Sequence, residues 1–179
     1  GRLDPELTQI LTEAPCDVAL WFEPGDAAPS VDGGPILVPF GALENDWAAL
    51  ELAAWIAGTT RRPLVLLGAA GDSRGEQRDA SRMLADAGLL IQRATGVVAE
   101  PRLVEPGRRG LLAAASECGL VVAGLSERWL SEGLGETRLE LARSSRAPVM
   151  FLRRGRRPGG LSPPESLTLY RWSVTAVAR

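Results

Sequence analysis

Histidine and lysine are both missing from the 179 residues. Without histidine, Ser144 and Ser145 have no base, and nucleophilic catalysis of the Ser-His type is excluded. Arginine supplies all 20 basic residues against 22 acidic ones, for a net charge of −2. That balance argues against a nucleic-acid binder, which needs a basic face. The two cysteines, Cys16 and Cys118, are far apart and lack a metal or redox spacing. Both are expected in the core as small apolar residues, not in a disulfide. No apolar run reaches the roughly 18 residues that a membrane span needs, and no N-terminal stretch has the layout of a signal peptide. The chain opens on Gly1 and Arg2 and its first methionine is Met83, so it is expected to be a segment of a longer protein.

What is present is an ordinary globular composition, 45% hydrophobic. A chain this long buries about 70% of its unfolded surface, enough for a core without staples. Residues 5–14 place Leu7, Ile10 and Leu11 on one helical face, with Pro5 in the first turn. A short apolar strand over 17–22 comes next, then a Gly/Pro/Asp/Ala-rich linker over 24–34. From residue 35 an alternation begins: strands at 35–40, 63–67, 97–104, 119–124 and 148–152, with helices at 44–58, 76–91, 107–117 and 136–145. Met83, Leu84, Ala87 and Leu90 form one face of the second of these helices. Continuously apolar strands alternating with helices predict a parallel sheet covered on both sides. Pro39 fits the carboxyl end of its strand, where the ladder stops. Beyond 152 come Arg153, Arg154, Arg156 and Arg157, a Gly/Pro loop, and a stretch over 167–177 that alternates with period two. That stretch suits an edge strand or a tail docked on the body.

Residues 36–153 resemble a universal stress protein domain. Ile36-Leu37-Val38-Pro39 looks like that family's first strand, and Ala49, Leu50 and Ala53 fall where its first helix is small and apolar. Leu120-Val121-Val122-Ala123-Gly124-Leu125 looks like the fourth strand, and Ala147-Pro148-Val149 opens the last. The resemblance implies an α/β doubly wound, five-stranded parallel sheet in order 3-2-1-4-5 over residues 35–153. Ala14-Pro15-Cys16-Asp17-Val18 also looks like the start of such a last strand, so residues 1–34 are expected to be the remnant of a preceding half-domain. Its strand at 17–22 should pair antiparallel with 148–152, capping an edge that otherwise invites aggregation. Residues 154–179 then form a C-terminal loop and tail.

In sheets of this order ligands bind where the strand order reverses. That places Phe40 and Gly41 near Gly124 and Ser126, with the helix after Gly135 aimed at the same crevice. ATP-binding members of the family carry an Asp after strand one, and a Gly-x-x-Gly run, then a spacer and Gly-Ser or Gly-Thr. Here the Asp position is Gly41, the second Gly is Glu127, and the final hydroxyl is Glu136. A carboxylate about 4 Å from a phosphate costs roughly 4 kcal/mol at an effective dielectric of about 20. Glu127 and Glu136 are therefore expected to degrade the site, with Arg128 and Arg138 as offsets if they turn inward. No cofactor is expected, ATP included, and no metal. Glu44 and Asp46 read as helix-start residues that complement the dipole. Trp47, Trp55 and Trp129 read as packing residues, with Trp129 holding the best claim to a ligand or partner contact.

The run from Gly159 through Pro164 to Arg171-Trp172-Ser173 is similar to the extreme C-terminus of bacterial cation/proton antiporters. This similarity implies a non-catalytic regulatory or assembly domain on the cytoplasmic side of the inner membrane. Its partner is the transmembrane domain of the same parent, and Arg153, Arg154, Arg156 and Arg157 are available to anionic headgroups. A homodimer through a sheet edge or the tail at 165–176 stays open. The alternative is a free-standing tandem stress protein that binds a nucleotide; an enzyme ranks last, since neither a base nor a metal cluster is visible.

Overall fold

A computed structural model describes residues 3–24, 33–70, 74–156 and 160–161, with only the backbone of 74–77. In chain order the elements are α1 (Pro5–Glu13), β1 (Val18–Phe22), β2 (Ile36–Pro39), α2 (Glu44–Thr60), β3 (Leu64–Ala69) and α3 (Arg74–Thr95). They continue with β4 (Ala99–Val104), α4 (Arg108–Ala115), β5 (Leu120–Gly124), α5 (Trp129–Glu132), α6 (Glu136–Ser144) and β6 (Val149–Arg153).

Among the described residues six strands form one sheet in the order β1-β6-β5-β2-β3-β4. From β2 onward that is the expected 3-2-1-4-5 parallel arrangement. Strand β1 adds to the β6 edge antiparallel, with Leu20 opposite Phe151 and Phe22 opposite Val149. This is the pairing expected from the sequence. Phe22 and Phe151 meet edge to face at 5.5 Å, and the Gly155 N–H donates to Asp17 at 2.7 Å.

Both faces of the central strands are covered, which is why those strands carry no polar alternation. Because successive side chains leave opposite faces, Ile36 and Val38 pack under α2 and α3, while Leu37 packs with Val121, Leu125 and Leu141 on the other side. Small residues (Ala49, Ala53, Ala54 and Ala57) let α2 lie close to the sheet beside fully buried Leu50. Burying Leu50 alone contributes roughly 2–3 kcal/mol. Leu84 and Ala87 of α3 are buried, with Met83 and Leu90 packed at the margin, as the periodicity predicts. No helix of the described residues is long and apolar enough to cross a membrane.

Four details correct the sequence reading. Trp55 is 66% exposed, because position 55 lies on the side of α2 opposite Leu50, Ala53, Ala54 and Ala57. Cys16 is exposed in the turn before β1, whereas Cys118 is buried and its thiol is pushed up to about 11 by desolvation. The stretch after β5 expected to be a loop contains the short helix α5, and Trp129 at its start is buried in the core, as its packing reading expects. Arg154 is buried: its guanidinium reaches Glu51 at 3.5 Å and the Leu161 carbonyl at 2.5 Å. It is thus removed from the basic surface expected over 153–157, while Arg156 is exposed. Arg157 and the alternating stretch at 167–177 lie outside the described residues.

Candidate functional site

Strand β2 pairs with β3 on one side and β5 on the other, so the strand order reverses there. A crevice of about 380 Å³ opens at the carboxyl ends of these strands. Phe40, Gly41, Leu43 and Asp46 line one wall, Gly68, Ala69, Val104 and Glu105 another, and Gly124, Thr137 and Arg138 a third.

The first wall is built by the turn out of β2. Pro39 ends the strand, and the Phe40 N–H still reaches the Leu67 carbonyl at 2.8 Å. Ala42 then adopts a left-handed φ of 62°, a conformation that costs a non-glycine residue about 1 kcal/mol. The turn directs the N–H groups of Gly41 and Leu43 inward, where both donate to Asp46 Oδ2, at 2.9 and 3.2 Å. Asp46 is the third residue of α2, so its bond to Leu43 is the carboxylate half of a capping box. Leu43 has no side-chain oxygen to make the other half.

The Asp46 carboxylate fills the space that Gly124 leaves, and it lies within ordinary contact of Gly41. A Cβ on Gly41 would lie 3.4 Å from Asp46 Oδ2, and one on Gly124 would lie 2.5 Å from Asp46 Oδ1. Gly124 is therefore required by the approach of α2 to the end of β5. The neighbouring Asn45 fastens the same junction: its amide donates to the Leu125 carbonyl at 2.9 Å, and its carbonyl accepts from the Arg154 N–H at 2.8 Å.

Arg138 enters from the first turn of α6, where its Nε donates to the Gly124 carbonyl at 2.7 Å. Burial raises the Asp46 pKa above the usual carboxylate value, opposed by the two backbone bonds and the Arg138 charge, and aided by Glu127. Burial likewise lowers the Arg138 pKa, opposed by Asp46 and Glu132. Each of the two charges thus stabilises the other in a partly desolvated crevice.

Of the residues expected at a ligand, Phe40, Gly41 and Gly124 line the crevice. Ser126 and Gly135 do not. Ser126 accepts from the Arg128 N–H at 3.2 Å and turns the chain into α5, and Gly135 starts α6 with a left-handed φ of 73°. Glu127 and Glu136 are exposed and outside the lining, so they are not the side chains that occupy the site. That position belongs to Asp46, which the helix-dipole reading passed over. The signal was available, since an Asp at the third residue of a helix lacking a polar N-cap can reach back to the cap amide. Arg138 turns inward as an offset, whereas Arg128 is exposed and pairs with Glu132 at 3.1 Å. No group of three acidic, cysteine or histidine side chains converges into a metal site among the described residues.

No protein-family model and no curated protein matches the sequence. Solved structures do. A universal stress protein in complex with cAMP matches with a TM-score of 0.53 and 22% identity, covering 66% of this chain and 95% of its own. A universal stress protein from Archaeoglobus fulgidus gives 0.56 and 20%, over 66% of this chain and 98% of that one. A member of the same family from Burkholderia pseudomallei gives 0.50 and 26%, over 70% and 99%. With the strand order, the switch-point crevice and these likenesses together, the chain has the universal stress protein fold.

Proposed function

We propose that the chain is a non-catalytic regulatory or assembly domain of a bacterial cation/proton antiporter. It would act on the cytoplasmic side of the inner membrane, against the transmembrane domain of its own parent. Its crevice is degenerate and takes no triphosphate. The observation that carries the second half is the seating of Asp46. The amides of Gly41 and Leu43 already serve an internal anion. An incoming phosphate would meet a carboxylate at an effective dielectric of about 20, at a cost of roughly 4 kcal/mol at about 4 Å. The similarity of residues 159–173 to antiporter C-termini supports the first half, and Arg153 and Arg156 remain candidates for contact with headgroups. The test is cation/proton exchange in everted vesicles carrying the parent with and without this domain. The reading requires the rate or its cation dependence to change. A coding frame with no membrane helices upstream would remove it.

One observation favours the second reading, a free-standing tandem stress protein that binds a nucleotide. Among the described residues Thr137 and Arg138 line the crevice, and the Arg138 guanidinium suits a ligand with one negative charge. A related fold is known in complex with cAMP, which carries one such charge. Calorimetry separates the readings: affinity for cAMP below about 10 μM would favour the second.

A further inference from the structure

Strand β1 is covered on one face only. Leu20 packs toward α1, where Leu11 is buried, while Ala19 and Trp21 leave the opposite face and are exposed. Trp21 is 48% exposed, and its indole N–H donates to Glu23 at 3.2 Å. Between this bare face and α2 runs a groove of about 350 Å³, with Ala19 and Leu152 as its floor, Leu52 and Trp55 as its wall, and Asp17 and Glu51 at its rim.

The described chain ends at that groove. Glu51 accepts from the N–H groups of Gly160 and Leu161, at 3.0 and 3.1 Å. Arg154 holds the Leu161 carbonyl from the other side, and Leu161 is 6% exposed within the α2 core. The next 18 residues, 162–179, therefore leave from the rim beside Glu51. Trp55 lies one turn farther along α2, about 6 Å on at 1.5 Å per residue. An extended chain advances about 3.4 Å per residue, so the Ser-Pro-Pro-Glu-Ser run 162–166 reaches past it. The segment after that run is apolar at every second position: Tyr170, Trp172, Val174 and Ala176, with Arg171, Ser173 and Thr175 between. A segment with one apolar face suits a groove that is apolar on one side and open on the other.

We propose that residues 167–176 of this same chain dock in the groove between α2 and β1, covering Trp55 and the exposed face of β1. The groove is then an intramolecular seat. The anchoring of Leu161 raises the effective concentration of the segment there.

Hydrogen exchange monitored by mass spectrometry on the full 179-residue chain tests this. Peptides within 165–179 should exchange at least about tenfold more slowly than coil. The slowing should not depend on protein concentration, and the mass in solution should be that of one chain. Trp55→Glu and Ala19→Glu, both at exposed positions, should each return the segment to coil rates while peptides from β2 and β3 stay protected. Coil rates in the unaltered chain would overturn the proposal. So would protection that survives both substitutions, or protection that appears only with a doubled mass, which would mean a second copy supplies the segment.

Discussion

In the crevice Asp46 Oδ2 accepts from the Gly41 and Leu43 amides. Two acceptor bonds and a nearby guanidinium favour its charged form, yet burial outweighs them and its pKa rises above the usual 3.8. A group that holds its proton more tightly folded than unfolded contributes full stability below the unfolded pKa. It loses that contribution as pH rises through the folded value. Asp46→Asn keeps an oxygen for the Gly41 and Leu43 amides but removes the charge. Urea unfolding should therefore show the Asn variant gaining on the parent as pH is raised from about 3 to 7, with the two converging at the acid end. Asp46→Ala leaves both amides unserved and should cost about 1–2 kcal/mol at the acid end, a deficit that narrows as pH rises because the parent alone loses the Asp46 contribution. At Gly124 the constraint is steric. An alanine Cβ would meet the Asn45 carbonyl carbon and the Asp46 nitrogen at 2.7 Å. Gly124→Ala should lower the unfolding free energy by about 1–3 kcal/mol, read from the same denaturant curves. The sequence marked Gly124 as special, but as a phosphate glycine; only the arrangement of α2 over β5 reveals its partner to be Asp46.

Among the elements, the alternation of apolar strands with helices was legible because both faces of the central strands are buried. The pairing of β1 with β6 was legible from Ala14-Pro15 standing ahead of an apolar strand, as Ala147-Pro148 does. Helix α5 was not, since four residues hold barely one turn and show no periodicity. The exposure of Trp55 was readable in principle from its angle on α2, but bulk and aromaticity argued for the core. Arg154 looked like one member of a basic run, and nothing local signals that Glu51, 103 positions earlier, will bury it. Strand β1 protects the β6 edge, and Leu20 holds it in place against the core. Leu20→Asp should cost roughly 2–4 kcal/mol and free that edge. Light scattering should then show self-association at micromolar concentration, whereas a variant that stays monomeric with unchanged stability would show that β1 is dispensable.

The molecule as a whole keeps the switch-point crevice of an open α/β sheet and furnishes it differently. Amides that could cradle a phosphate are turned onto an internal carboxylate, and the lining guanidinium of Arg138 is tied to the Gly124 carbonyl. Asp46, Asn45 and Gly124 together join α2 to the end of β5. That suits a module whose contribution is its surface and its connections. The decisive experiment is isothermal titration calorimetry of the 179-residue chain with ATP. The unaltered chain should show no binding tighter than about 1 mM, and Asp46→Asn should show a measurable gain. ATP binding below about 10 μM by the unaltered chain would refute the degenerate crevice.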